Sequence, residues 1–504
     1  MLQTGCAIRR PCAPTVGWLA VLIALLAFVG VWTAYFTITE LGQSVHHDMA
    51  EAYAWGREFQ PGYSKHPPFW AWICGLWFSV VPRANWSFAL LSVLNSGLGL
   101  LGAWALIGRF AEGDKRVSAT LLLLLTPFYT FLCYKYNANA IFLSVWPWMA
   151  YFFVRAFEAR RPLDSVILGM VMGIAALSKY YAIVLGVTLF IAALVHPARR
   201  RYFCSLSPYV SIAVAAVVVA PHLFWLWAND APPFQYFADE AGRDYVLTSR
   251  HVAKAFFASL ALNCVAVAAV WFTLPAHVPN VGVVRKIRRR FSEPRLRILI
   301  VLALGPLVLT SISALALRNK IDSNMLIGVF PLIPLLAIEV TQPFDYAKLK
   351  RRAMWLSGAL CTGALVASPA IGVLQTRFSD LSQFDEPRRE LSEAATGYWR
   401  AHTDAPLKIV GGSDRYDAAV AFYSIERPHA FLNLDFNRAP WIRPDDLAAD
   451  GLLSVCRADD DPCRKTTAKL ATPAATSIEL KLAHAAWGYS RSPVSFVVTA
   501  IPPK

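Results

Sequence analysis

Charge is what this sequence has least of. Only 16% of its 504 residues are Asp, Glu, Lys or Arg, against roughly 25% in a soluble domain. Such a chain cannot cover a globular surface with charge, so a soluble class is excluded. Acidic residues are the scarcer sign, 33 against 48 basic, for a net charge of +15. In a soluble protein that excess would suggest nucleic acid. No nucleic-acid partner is expected here, because an excess of Lys and Arg is also what cytoplasmic loops of membrane proteins carry. No Rossmann-like G-x-G-x-x-G unit and no soluble cytoplasmic domain are expected, which argues against a nucleotide-linked substrate. The nine cysteines form no C-x-x-C pair and show no metal spacing. Most lie in or near apolar stretches, as small core residues.

What the chain does have is apolar length. Hydrophobic residues make up 56% and mean hydropathy is +0.43. Apolar runs of about 20 residues, the length that crosses a bilayer, recur as far as residue 373. Eleven spans are predicted, at 16–36, 86–108, 117–134, 138–154, 164–178, 180–196, 205–227, 254–274, 298–316, 324–340 and 353–373. The first, behind Arg9 and Arg10, is expected to be retained rather than cleaved as a signal peptide. Every second connection is basic: Arg109, Lys115 and Arg116; Arg155, Arg160 and Arg161; Arg199, Arg200 and Arg201; the run from Arg285 to Arg297; and Lys348, Lys350, Arg351 and Arg352. That alternation predicts a cytoplasmic N-terminus. The tail then lies on the outer, periplasmic side of the cytoplasmic (inner) membrane. The fold class expected is mainly α: a polytopic helix bundle over 1–373, with a small extracytoplasmic α/β domain over 374–504. LKIVGG (407–412) and VSFVVTA (494–500) read as strands, and Cys456 and Cys463, seven apart, are placed to form a local disulfide.

This topology sorts the remaining polar residues onto one face. The first external loop, 37–85, contains HHDMAEAYAWGREFQPGYSKHPP (46–68). Asp48 and Glu51 are three residues apart and share a face if the segment is helical. Two such carboxylates can hold a divalent cation, Mg²⁺ or Mn²⁺; the bland role for Asp48 is an N-cap. Pro61-Gly62 breaks the segment, and Lys65-His66 precede Pro67-Pro68. Asn137 and Asn139 fall at the next external turn and Lys179 at the one after. Asp230, Asp239, Glu240, Arg243 and Asp244 fall in the loop 228–253, and Arg318, Lys320 and Asp322 in the loop 317–323. Each has an ordinary alternative: Lys179 can snorkel, Asn139 can cap a helix, and Arg318 and Lys320 can be solvated loop charges. Their convergence on one membrane face favours a site.

The set D-x-x-E-A-x-x-W-G followed by G-Y-x-K-H-P-P resembles the first external loop of polyprenyl-phosphate-sugar-dependent glycosyltransferases of the GT-C fold. This superfamily takes in protein mannosyltransferases, the lipid A aminoarabinose transferase and the rhizobial core galacturonosyltransferases. YNANA (136–140) before Trp146-Pro147, and LSKYYA (177–182), strengthen the resemblance, which covers roughly 15–340. Many relatives have the two acids adjacent, whereas Met49 and Ala50 separate them here.

The resemblance implies an inverting glycosyltransferase. Its donor would be a sugar on a polyprenyl phosphate at the outer face of the membrane. Its acceptor would be an envelope glycan, lipid (lipid A or its core among them) or protein. It implies Asp48 as general base, with Glu51 beside it, and Lys65, Lys179, Arg318 and Lys320 as cations for the leaving phosphate. His66 and Asn139 would bond phosphate or sugar oxygens. A secondary transporter of a lipid or sugar is the alternative, but such proteins show repeats and mid-membrane polar sites.

Overall fold

The computed structural model describes residues 17–242, 244–272, 293–321, 323–341, 345–378 and 386–504. Arg243, Asp322 and the basic residues 285–290 lie outside the described residues, as do the side chains of Asp239 and Glu240. The helices of the apolar part are α1 Trp18–Thr39, α2 His47–Glu58, α3 Phe69–Val80, α4 Asn85–Ile107, α5 Gly113–Leu123, α6 Phe142–Ala159, α7 Pro162–Ser178, α8 Ala182–Leu194, α9 Arg199–Phe203, α10 Ser207–Ala228, α11 Pro232–Glu240, α12 Tyr245–Trp271, α13 Pro294–Leu317, α14 Ile333–Thr341 and α15 Tyr346–Phe378. Six of them (α1, α4, α10, α12, α13 and α15) are long and apolar enough to cross a membrane. The protein is a multi-pass, mainly helical membrane protein.

Each predicted span overlaps a helix, but two are only partly helical. The span predicted at 117–134 is α-helical as far as Leu123, where Thr126-Pro127 ends it, and a 3-10 turn follows at Phe131–Tyr134. The span at 324–340 is a 3-10 turn plus the nine-residue α14. A further apolar helix, α3, lies within the predicted first loop. Irregular backbone next to lipid must find partners inside the protein. Here α4 supplies them: Ser92 Oγ donates to the Tyr134 carbonyl at 2.6 Å, Ser96 Oγ to that of Tyr129 at 2.7 Å, and Asn95 Nδ2 to that of Ala140 at 2.7 Å. These bonds hold the Lys135–Asn139 turn in place.

One expectation needs correction. Gly97-Leu98-Gly99-Leu100-Leu101-Gly102 does carry the G-x-G-x-x-G spacing. It lies in the middle of α4, not between a strand and a helix. A Cβ on Gly99 would sit 2.1 Å from the Leu143 carbonyl oxygen of α6. These glycines serve helix packing rather than a nucleotide.

The basic ends predicted to be cytoplasmic pair with acids of that same side: Arg109 with Glu158, Lys115 with Glu339, Lys350 with Asp114 at 2.6 Å, and Arg155 with Asp164 at 2.7 Å.

The C-terminal part comprises α16 Arg388–His402, β1 Ile409–Gly412, α17 Asp417–Tyr423, β2 His429–Phe431, α18 Pro444–Asp450, β3 Leu452–Arg457, α19 Asp461–Leu470, β4 Thr476–Leu482, the short β5 Ala485–Ala486 and β6 Tyr489–Ser490, and β7 Val494–Ile501. Five strands form one sheet in the order β2-β1-β3-β7-β4, with β1 parallel to β2 and β3 and β7 antiparallel to β3 and β4. Cys456 and Cys463 are joined by a disulfide between β3 and α19.

This part docks on the first loop. Phe422 of α17 sits among Tyr53, Phe78 and Phe88, with ring centroids 5.2–5.6 Å away. Tyr423 Oη accepts from the Val45 amide at 2.7 Å and donates to Asn85 Oδ1 at 2.9 Å. Arg388, fully buried, donates to the Val45 carbonyl at 2.9 Å. Arg83 caps the carbonyls of Phe422 and Ser424 at the end of α17, where the helix dipole favours a cation. One hydrophobic core runs through both parts.

Candidate active site

α2 starts two residues earlier than the cap reading of Asp48 requires. His46 is the N-cap, and its Nδ1 accepts from the Asp48 amide at 3.1 Å. The Asp48 carboxylate is therefore free of capping and points to other groups. Oδ1 lies 2.9 Å from His47 Nε2; Oδ2 lies 3.2 Å from Lys135 Nζ and accepts from Asn137 Nδ2 at 2.8 Å. Burial pushes this carboxyl up, but the His47 bond and the charge of Lys135 outweigh it and hold it well below the usual carboxylate range. It is ionised at neutral pH.

The chain of bonds continues through the asparagine turn. Asn137 Oδ1 accepts from the amides of Asn139 and Ala140 at 2.9 and 3.0 Å, which orients its NH₂ toward Asp48. Asn139 Oδ1 accepts from Lys179 Nζ at 2.6 Å. Lys179 sits in the turn between α7 and α8. Burial there lowers its ammonium to about 8.

Glu51, one turn along α2, bonds Lys65 Nζ at 2.9 Å. The Glu51 charge next to it raises the Lys65 ammonium above its usual range, more than burial lowers it. His66 stands edge-on to Trp55 and Trp70. Burial, with the nearby Lys179 and Lys65 charges, pushes it down to about 3, so it is a neutral imidazole.

The structure thus brings together six of the eight residues singled out from sequence: Asp48, Glu51, Lys65, His66, Asn139 and Lys179. Arg318 and Lys320 are not among them. Arg318 is the exposed C-cap of α13, with φ +50°, and Lys320 is exposed two residues on; neither forms an ion pair among the described residues. Lys135 was missed. It stands beside the noted YNANA turn, and that adjacency was the available signal. His47 adjoins Asp48 in sequence but is not among the residues singled out above. Asp48 and Glu51 are held by different lysines, so a cation shared between them would have to displace both. Among the described residues the three groups close enough to ligate one ion are His46, His47 and Asp48.

Residues 65–225 match the family model described as dolichyl-phosphate-mannose-protein mannosyltransferase. The chain is 28% identical over 220 residues to the lipopolysaccharide core galacturonosyltransferase RgtB of Rhizobium johnstonii, a match covering 42% of this chain and 43% of that protein. It is 27% identical over 208 residues to RgtA of the same organism, covering 39% of this chain and 41% of that protein. The matches thus span less than half the length of either relative. In three dimensions the chain is similar to ArnT from Cupriavidus metallidurans bound to undecaprenyl phosphate, with TM-score 0.62 and 14% identity over 96% of this chain and 98% of that one. The motif-bearing first loop, the matched segment and a near-complete structural superposition lead to one conclusion: this chain is a multi-pass membrane protein of the GT-C fold.

Proposed function

We propose that the protein is an inverting glycosyltransferase that moves a sugar from a polyprenyl phosphate to an acceptor hydroxyl at the outer face of the cytoplasmic membrane. The observation that carries this is the ionised Asp48, bonded to His47, Lys135 and Asn137, beside Lys65 and Lys179 on a GT-C fold. In the reaction the acceptor oxygen attacks C1 of the donor sugar. The bond between C1 and the phosphate oxygen breaks, and the new C1–O bond forms on the opposite face. The acceptor proton passes to Asp48 Oδ2 or Oδ1, and the electron pair of the broken bond leaves with the polyprenyl phosphate. A carboxylate held this acidic is a weak base toward a free hydroxyl. It therefore takes the proton as C–O bond formation acidifies that hydroxyl. Lys65 and Lys179 stabilise the charge that grows on the phosphate. Neutral His66 can donate to a sugar or phosphate oxygen. RgtA and RgtB are named for transfer to lipopolysaccharide core, and a glycolipid acceptor fits that likeness. The disulfide supports placing the C-terminal part in an oxidising compartment.

Mass spectrometry of envelope lipids tests the function. Cells lacking the gene should lose one sugar from an envelope glycan and accumulate the matching polyprenyl-phosphate sugar. Unchanged glycans and an unchanged polyprenyl pool, in conditions where the wild type makes the protein, would remove the basis for the proposal.

Lys179 adds a pH prediction. Its ammonium is lost as pH rises through about 8, while the second phosphate ionisation, near 6, is already complete. Binding of undecaprenyl phosphate, read by tryptophan fluorescence, should weaken as pH rises from 7 to 9.5. Lys179→Arg, always charged, should bind equally at both ends of that range. Equal wild-type binding at pH 7 and 9.5 would exclude Lys179 as a phosphate partner.

A further inference from the structure

On the side predicted to be cytoplasmic, most cations around α5 are held by an acid: Lys115, Lys350, Arg109 and Arg155 each have one. Arg116 pairs with no carboxylate among the described residues. It folds back instead on the last turn of α4. Its Nε donates to the Trp104 carbonyl at 3.0 Å, and its Cζ lies 3.8 Å over the Trp104 ring. A cation is favoured there, because the last carbonyls of a helix carry its partial negative charge. That bond uses one nitrogen. The two terminal nitrogens bond no protein group among the described residues, and they stay as donors on a guanidinium plane fixed by the ring.

Trp104 also lines a groove of about 160 Å³ between α1 and α5, with Leu101 beside it on α4. Ala20, Ala24 and Phe28, four apart along one face of α1, form one wall, and Thr120 of α5 stands on the other. The small side chains of Ala20 and Ala24 leave the room. Both are exposed, so the groove opens on the outside of the apolar bundle. Thr120 turns its hydroxyl back to the Arg116 carbonyl at 3.0 Å, which leaves an apolar lining. An apolar cavity of this size does not hold water and takes an apolar group instead. On the outer surface of a membrane helix, the apolar group at hand is an acyl chain.

We propose that this groove binds an anionic phospholipid, with an acyl chain between α1 and α5 and the phosphate bonded by Arg116. The charges are complementary. A phosphate accepts from two guanidinium nitrogens side by side, and Arg116 is the cation at the groove whose charge no acid cancels. Basic pockets between membrane helices on the cytoplasmic side suit such headgroups. A zwitterionic phospholipid also carries a phosphate, but its own cation offsets the attraction. The groove lies at the end of α4 opposite Asn85, which bonds Tyr423 of the C-terminal part. It is therefore on the other side from Asp48 and its lysines, and it does not depend on the glycosyltransferase reading.

The probes are dioleoyl-phosphatidylglycerol and dioleoyl-phosphatidylcholine, which differ in the headgroup alone. Both are offered in equal amounts to the purified full-length protein in detergent, and the lipid retained is read by native mass spectrometry. Wild type should retain one phosphatidylglycerol, preferred by about five-fold, the factor that one basic side chain gives at an anionic membrane surface. Arg201→Gln, on the exposed α9, should match it. Arg116→Gln should hold the two lipids equally. Gly108→Ala should do the same with the charge kept, because its Cβ would lie 2.6 Å from Arg116 Cζ and push the guanidinium off the ring. Ala24→Phe, which fills the groove, should lose both lipids and still bind undecaprenyl phosphate as wild type does. Ala20→Phe replaces it if that variant does not fold. A wild type that holds neither lipid, or both equally, overturns the site. So does an unchanged preference in Arg116→Gln and Gly108→Ala, or unchanged retention in Ala24→Phe. Loss of undecaprenyl phosphate binding in Ala24→Phe overturns it as well, since the groove would then serve the donor lipid.

Discussion

Asp48→Asn should lower sugar transfer by about 10²–10⁴-fold, the usual contribution of a positioned general base, with the protein still inserted and folded. The amide keeps the shape of the carboxylate and can still bond His47 or Asn137, so α2 keeps its place. It cannot take the acceptor proton. It also leaves Lys135 facing a neutral group at 3.2 Å instead of an anion. Undecaprenyl phosphate should bind as well as before or better, since an added anion then meets Lys135 and Lys179 without competition from Asp48. Turnover close to wild type in purified Asp48→Asn would remove Asp48 as the base. A matching loss of donor binding would instead make it an organiser of the two lysines.

The second large effect is expected from a residue that touches no substrate. α2 and α3 cross with backbone against backbone at Gly56 and Gly75. A Cβ built on Gly75 would lie 2.1 Å from the Gly56 carbonyl oxygen, and one on Gly56 would lie 2.3 Å from that of Ala71. Neither neighbour is a side chain that could swing away. Gly75→Leu must therefore part the two helices. Overpacking of this kind costs about 1–3 kcal/mol or more. The displaced helix carries Asp48 and Glu51 on one side and the Tyr53 contact with Phe422 on the other. The variant should melt at lower temperature and lose transfer together with undecaprenyl phosphate binding, whereas Asp48→Asn loses transfer alone. Wild-type melting and activity in Gly75→Leu would show that the crossing is looser than its geometry indicates.

Much of the site was legible because membrane proteins segregate charge. Once the basic connections were assigned to one side, Asp48, Lys65, Asn139 and Lys179 were left on the other, and the structure links them within two short chains of hydrogen bonds. Lys135 escaped because it directly follows a predicted span and looked like its flank. Only the break at Pro127 and the bonds from Ser92, Asn95 and Ser96 turn that stretch into a loop that delivers Lys135 to Asp48. Arg318 and Lys320 show the converse. They share the face of the site, but α13 ends with both side chains exposed, and membership of a face does not fix lateral position.

By itself the sequence determined that the chain crosses a membrane repeatedly, which ends of its spans are basic, and which first-loop residues are the candidates for the site. Those properties follow from local apolar length, from charge counts and from spacing along one helix. Tertiary structure alone decided which lysine faces which carboxylate, that Asp48 is neither a cap nor paired with Glu51, and that the C-terminal part docks on the first loop through Phe422 and Tyr423. These depend on contacts between residues tens to hundreds of positions apart, which are set by packing such as that of Gly56 on Gly75 and of Phe422 among Tyr53, Phe78 and Phe88.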